Sequence, residues 1–380
     1  MTTKIKNIVV TCVMAALLLG MSAFCWFKPA DAFSNSERRT LKQFPKFVQD
    51  QDTGKLSFAP LFNGTFMTNF EDYTLDQFPL RDSFRTLKSF CTFYIFRQLD
   101  NNDIYVKNGY AAKLEYPMNT GSLDHAADRF RNIYDSYLAG KNMNIYFSII
   151  PDKSYFLAED NGYLALDYAE FITYLRDRTD FMEYIDITGD LALDSYYKTD
   201  THWRQEKLLD VATTLAKAMG TSVTRDYTTN TLDHPFYGVY YGQSALPLPA
   251  ETIYYLTSDS MNDWIITNYD TLSGKPETMS VYDMKKGTDK DPYELFLSGS
   301  LSLLTIENPN ATTDKELIIF RDSFGSSLTP LLADGYAKVT LIDIRYIPSA
   351  MLGRLVDFKE NQDVLFIYST LVLNSSDLLT

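Results

Sequence analysis

Apolar positions recur along this chain in several rhythms, and each rhythm predicts a different element. Residues 8–27 form an uncharged apolar run of about twenty residues, the length of a helix that crosses a bilayer. Residues 33–60 are polar and read as extended and loop-rich. From 63 to 99 the spacing turns helical. Phe66, Phe70, Tyr73 and Leu75 precede Phe78 and Pro79, and apolar residues resume at Phe84. Pro79 lacks the amide hydrogen a helix needs, so the helix is predicted to break there. Residues 104–114, with Gly109 between two short β-rich runs, read as a hairpin.

Beyond residue 120 helical and β periods alternate. Phe130, Ile133, Tyr134, Tyr137 and Leu138 share one face of a helix over 124–138, stopped by Gly140. A strand over 144–150 ends at Pro151-Asp152-Lys153. A helix over 168–179, a strand over 181–187 and a helix over 204–219 follow. Leu208, Val211, Ala212, Leu215 and Met219 line the last helix, and Gly220 stops it. Residues 221–311 carry short β-like segments and Tyr-rich turns, and read as a β-rich insertion. The alternation resumes with strand 316–320, helix 324–334, strand 338–344, helix 348–358 and strand 363–369. This rhythm implies an α/β fold with a parallel sheet covered by helices on both faces. Ligands in such folds bind at the carboxyl ends of the strands. The organisation expected is a signal anchor or signal peptide over 1–32, a helical juxtamembrane region over 33–120 packing on the core, and an α/β domain over 121–380.

Charge and cysteine content narrow the class. The 380 residues carry a formal charge of −14, which disfavours nucleic acid, whose phosphates reward basic patches. Lys4 and Lys6 precede the apolar run, an arrangement that keeps the N-terminus cytoplasmic and exports the rest. Ala30-Asp31-Ala32 has the small residues of a cleavage site, but Lys28 and Pro29 separate it from a run that is long for a signal peptide. A retained single-pass anchor is the reading preferred, with secretion after cleavage as the alternative. Cys12 and Cys25 lie in the apolar run, leaving Cys91, so neither a disulfide framework nor a cysteine zinc site can be built. No cofactor-binding motif is present, and no carboxylate spacing predicts a metal. The 27 tyrosines and 25 phenylalanines serve first as core, although tyrosines also make sugar-stacking surfaces.

Two short segments carry candidate chemistry. Tyr197-Lys-Thr-Asp-Thr-His-Trp203 sets Asp200 two residues before His202. Phe320-Arg-Asp-Ser-Phe-Gly325 sets Ser323 where an apolar strand gives way to a helix. Together they hold a nucleophile, a base and an orienting carboxylate, the parts of acyl transfer through a serine ester. Backbone N–H groups at the start of the following helix are expected to bind an oxyanion. Taken alone, Ser323 serves equally well as a helix N-cap, and Asp200 or Thr201 as caps of the helix after Trp203. Arg345 and Tyr346 follow one strand and Lys153 another, so they are candidates for substrate contact. His234 and Tyr237 lie in a Tyr-rich loop that also contains Tyr240 and Tyr241.

These segments sit within an ordered set that resembles the SGNH-hydrolase-like polysaccharide O-acetylation proteins, the alginate O-acetyltransferase and DHHW group. The set comprises Ser36-Glu-Arg-Arg-Thr-Leu41 with Phe44-Pro45, then Phe70-Glu71, Tyr73, Asp76, Phe78-Pro79 and Arg81. It continues with Ile150-Pro-Asp-Lys-Ser154, Thr199-Asp-Thr-His-Trp203, Arg321-Asp-Ser-Phe-Gly325 and Leu365-Phe-Ile-Tyr-Ser-Thr370. The resemblance implies an α/β/α domain with Ser323 as nucleophile, His202 as general base and Asp200 as orienter. Thr201 stands where the name-giving motif has its first histidine. Arg321 replaces the glycine of a GDS-type motif and becomes a further candidate for substrate contact. The glycine and asparagine that complete an SGNH oxyanion hole have no clear counterparts.

The function this implies is an exported O-acyltransferase that acetylates a polysaccharide, with the acetyl donor delivered by a membrane-bound O-acyltransferase partner. Two rivals stay open. One is an acetylesterase using the same residues. The other is a non-catalytic glycan-binding subunit that works through Tyr237, Tyr240 and Tyr241 and tolerates Ser323→Ala.

Overall fold

The computed structural model describes residues 3–46, 56–269 and 275–380. The chain divides into two compact units, Met1–Gln98 with Ala245–Pro247, and Leu99–Ser244 with Leu248–Thr380.

The first unit opens with α1 (Thr3–Phe27). Among the described residues it is the one helix long and apolar enough to cross a membrane, and it fits a signal anchor or a signal peptide. The polar segment after it pairs Phe33–Ser34 with Arg39–Thr40. Residues 47–55, part of the segment expected to be extended, lie outside the described residues. Helices α2 (Thr65–Asp76) and α3 (Arg81–Phe90) flank Pro79, as its missing donor requires.

The second unit is built on an eight-stranded sheet. In chain order its strands are β1 (Asn144–Ile150), β2 (Glu183–Tyr184), β3 (Ile265–Tyr269), β4 (Pro276–Met279), β5 (Leu303–Glu307), β6 (Glu316–Arg321), β7 (Lys338–Ile342) and β8 (Asp363–Ser369). They lie side by side as β4-β3-β5-β7-β6-β8-β1-β2. The run from β7 through β6, β8 and β1 to β2 is parallel. At the other edge β5, β3 and β4 pair antiparallel. The sheet is therefore mixed. Residues 221–311, expected to form a separate elaboration, supply three of its strands.

Helices cover both faces. On one, α6 (Leu209–Ala218) and α7 (Gly325–Ala333) pack Val211, Leu215, Leu328 and Leu331 against Ile306, Leu317, Ile319, Leu365 and Ile367. On the other, α4 (Thr120–Ile133) and α5 (Tyr168–Arg178) pack Phe130, Ile133, Phe171 and Leu175 against Phe147, Ile318, Phe320, Val364 and Phe366. Adjacent residues of one strand thus enter opposite cores, the period-two consequence of the pleat. β1 and β8, buried along nearly their whole length, read as continuous apolar runs for that reason. The result is a three-layered α/β/α architecture. Two predicted elements are much shorter than expected: strand 181–187 is reduced to β2, and helix 348–358 to a turn and Leu352–Leu355.

Candidate active site

The carboxyl ends of β1, β6 and β8 point the same way, and the candidate residues gather beyond them. Ser323 sits two residues past the end of β6. Asp322 shapes the turn: its Oδ1 accepts the Phe324 N–H (3.0 Å) and its Oδ2 the Ser369 N–H at the end of β8 (2.8 Å). The N-cap of α7 is Phe324, which has no side-chain cap. Ser323 Oγ therefore does not cap the helix, and lies 2.8 Å from His202 Nε2.

Asp200 and His202 come from a tight loop closed by the Tyr197 N–H on the His202 carbonyl (3.1 Å). Asp200 Oδ1 accepts the His202 backbone N–H (3.0 Å) and lies 2.6 Å from the imidazole Nδ1. Its Oδ2 accepts the Val239 N–H (2.8 Å). An ionised carboxylate only accepts, so Nδ1 carries the imidazole proton and Nε2 presents its lone pair to the Ser323 hydroxyl. Neither Asp200 nor Thr201 caps α6, which starts at Leu209 after its N-cap Leu208. From Asp200 (2% exposed) to His202 (12%) and the half-buried Ser323, the relay runs from the interior toward solvent. Chemically, it can take the proton from a serine hydroxyl and hold the imidazolium that results.

Several supporting residues carry no motif. The Glu251 carboxylate accepts the N–H groups of Lys198 and Thr199 and the Thr199 hydroxyl, all at 2.7 Å, which pins the loop from outside. Gly238 lies against it so closely that a Cβ would stand 2.3 Å from the Asp200 Cα. Tyr293 stacks on the His202 ring, and Phe324 approaches it at 5.0 Å between centroids. Burial raises the Tyr293 hydroxyl well above its usual range, and it shares a hydrogen bond with Ser327 Oγ (2.8 Å). The Trp203 indole N–H also donates to Ser327 Oγ (2.9 Å) and to the Phe324 carbonyl (3.0 Å). Trp203 thereby ties the histidine loop to the helix that follows the serine.

The expected oxyanion donors need correction. The Phe324, Gly325 and Ser326 N–H groups all bond within the turn, to Asp322 Oδ1, the Asp322 carbonyl and the Ser323 carbonyl. The Ser323 N–H makes no hydrogen bond among the described residues. Of the four N–H groups from Ser323 to Ser326 it alone is left without a bond among the described residues.

Two residues expected to contact substrate do not reach solvent. Arg321 is fully buried, with its guanidinium 3.5 Å from Asp343 and bonded to the Gly299 and Leu301 carbonyls. Its side chain runs under Gly325, where a Cβ would stand 2.7 Å from the Arg321 Cβ. Lys153 is 2% exposed. Its ammonium donates to the Ala111, Tyr197 and Lys198 carbonyls and lies 4.9 Å from the Tyr240 ring centroid. It braces the Asp200 loop from within. Arg345 makes a bidentate pair with Asp343 (2.9 and 2.6 Å). Tyr346 and Tyr237 are exposed, and the Tyr237 ring packs on Tyr241. His125 faces Ser376 Oγ (3.0 Å), away from the relay. Among the described residues, no group of three His, Cys, Asp or Glu side chains could hold a metal.

No family model matches the sequence, and no curated protein does. Solved structures do. A DHHW family protein from Eubacterium siraeum aligns with a TM-score of 0.59 at 19% identity, over 74% of this chain and 97% of its own. Bacillus cereus PatB1 bearing a sulfonyl adduct aligns at 0.56 and 17% identity, over 71% and 95%. At these identities the likeness is one of fold: the chain shares the α/β architecture of the DHHW family protein and of PatB1.

Proposed function

We propose that this chain is an exported, membrane-anchored O-acyltransferase that acetylates a cell-surface or extracellular polysaccharide through an acyl-Ser323 intermediate. The observation that carries this reading is the continuous hydrogen-bonded path from Asp200 through His202 to Ser323. Its position beyond the carboxyl ends of parallel strands adds support. So does the fold shared with PatB1.

In the first half-reaction Ser323 Oγ attacks the acyl carbon of the donor while His202 Nε2 takes its proton. The oxyanion forms against the Ser323 N–H, and the donor's leaving group departs with the proton from His202. In the second half, a sugar hydroxyl gives its proton to His202 and attacks the acyl-serine. Collapse releases the O-acyl sugar and returns the proton to Ser323 Oγ. Asp200 stays ionised throughout and holds Nδ1–H. The resemblance to O-acetylation proteins supplies acetyl as the group, a polysaccharide as the acceptor and a membrane-bound O-acyltransferase as the source of donor.

Intact-mass measurement after incubation with 4-nitrophenyl acetate tests the reading. Wild-type protein is expected to gain one acetyl group on Ser323, and Ser323→Ala and His202→Ala none. Adding candidate glycans then separates transfer from release to water. Folded wild-type protein that neither gains the label nor turns over the ester would overturn the catalytic assignment.

A further inference from the structure

Helix α3 is amphipathic in the reverse sense from a helix on a soluble domain. Phe84, Leu87 and Tyr94 recur at helical spacing along α3 and the wide turn Cys91–Ile95 that continues it, and Leu80 stands at the N-cap just before them. These four residues are exposed, from 46% at Phe84 to 64% at Leu80. The opposite face is polar and turns inward. Ser89 and Thr92 are buried there, and Arg81 and Arg85 reach Glu37 at 2.5 and 3.2 Å. A water-facing helix buries its apolar stripe and exposes its charges. Here ion pairs hold the inner face and leave a continuous apolar stripe outside, which an apolar medium would cover.

The connection of α3 to α1 indicates which medium. Cys25, near the end of α1, lines a pocket with Phe44, Phe70 and Tyr73 of the same unit. Six residues later the Asp31 N–H donates to Gln77 Oε1 (2.8 Å), and Gln77 Nε2 donates back to the Asp31 carbonyl (2.8 Å). Gln77 closes α2, and α3 begins four residues beyond it. The stripe is thus tethered close to the point where α1 would leave a bilayer.

We infer that α3 lies in the interfacial layer of the bilayer that α1 crosses, with Leu80, Phe84, Leu87 and Tyr94 among the lipid headgroups and upper acyl chains. This rests on α1 being a membrane anchor, and it goes beyond the acyl-transfer reading. Lys88 and Arg97, both exposed, are placed to meet anionic headgroups.

The test uses the full chain with Cys12, Cys25 and Cys91 changed to Ser, reconstituted in phosphatidylcholine–phosphatidylglycerol vesicles. Nitroxide labels are attached in turn at Phe84→Cys, Leu87→Cys and Tyr94→Cys, with Asp82→Cys, exposed on the opposite face, as the polar control. Val13→Cys reports separately on α1. Labels at 84, 87 and 94 are expected to collide several-fold more with oxygen, relative to a water-soluble nickel chelate, than the label at 82. High accessibility to both agents would put the stripe in water, and low accessibility to both would put it under protein. Either result overturns the inference without touching the acetyl-labelling result at Ser323.

Discussion

Tyr293 lies flat against His202, with ring centroids 3.9 Å apart and planes within 10° of parallel. The imidazole has little freedom to turn about its own bonds. Asp200 fixes Nδ1, Phe324 approaches from another side, and the Tyr293 ring closes one face. The stack aims Nε2 at Ser323. Tyr293→Leu is therefore expected to lower kcat by about ten- to a hundredfold, the loss typical of a small misplacement of a reacting group, with KM little changed. Tyr293→Phe keeps the ring and should restore most of kcat, while costing about 1 kcal/mol of stability for the lost bond to Ser327. Steady-state acetyl-ester kinetics beside thermal melts check this. A KM effect, or no rescue by Phe, would refute a positioning role.

Asp200→Asn tests the orienting carboxylate. The His202 backbone N–H and Nδ1–H converge on Asp200 Oδ1, and the Val239 N–H reaches its Oδ2. An amide offers one acceptor oxygen, so it must turn its own N–H₂ toward either His202 or Val239. If it faces His202, the ring is pushed to the tautomer whose Nε2 carries the proton. kcat is then expected to fall by about 10³–10⁴ with KM unchanged, as it does when an orienting aspartate becomes asparagine in other serine triads. A loss within about tenfold, measured by ester turnover and by the rate of Ser323 acetylation, would refute the role.

How much of this could be read from the sequence depended on how local each cause is. β1 and β8 run as expected because both faces are buried over most of their length and the residues are apolar apart from Asn144, Ser148, Asp363 and Ser369. The strands at the other edge are covered unevenly. β3 and β4 show mixed or mostly exposed positions and no sustained period, so 221–311 reads as an elaboration although it completes the sheet. The Asp200–His202 pair is visible because two residues of loop bring the groups together. Its partner Ser323 lies 121 residues away from His202, and only chemistry and the ordered motifs connect them. Glu251, Tyr293 and Gly238 act through contacts that tertiary folding alone creates. Arg321 and Lys153 mislead for one physical reason: a cation at a strand end is expected to seek solvent because burial costs it hydration. In this fold Asp343 and backbone carbonyls replace that hydration instead.

Arg321→Met separates a buried strut from a substrate contact. Arg321 and Asp343 are both fully buried. Burial pushes the Arg321 guanidinium down from its usual range, while the Asp343 carboxylate holds it up. Removing the cation leaves Asp343 with Arg345 as its remaining ion pair. Because Arg345 still compensates Asp343, the cost is expected to fall below about 3–5 kcal/mol, that of a buried charge left unpaired, and urea unfolding should shift to a lower midpoint. A variant that unfolds like wild type but shows a raised KM for the acceptor would restore the substrate-contact role.

Lys153 makes a pH-dependent prediction whose sign follows from its burial. Burial pushes its amine down from 10.5 to about 7, while the Asp200 and Glu251 carboxylates act the other way. The unfolded chain keeps the ordinary value, so between about pH 7 and 10.5 it binds a proton that the folded chain has released. Unfolding free energy then rises with pH, by up to about 1.4 kcal/mol per pH unit. The contribution is complete above the unfolded value and is lost as pH falls through about 7. Lys153→Met removes this titration and takes the ammonium donor from the Ala111 and Tyr197 carbonyls. The variant should be less stable overall, and wild type should gain on it steadily as pH rises from 7 to about 9. Urea midpoints of the two proteins across that range measure the difference. A gap that stays flat would mean the ammonium remains charged in the fold, with the three carbonyls outweighing its burial.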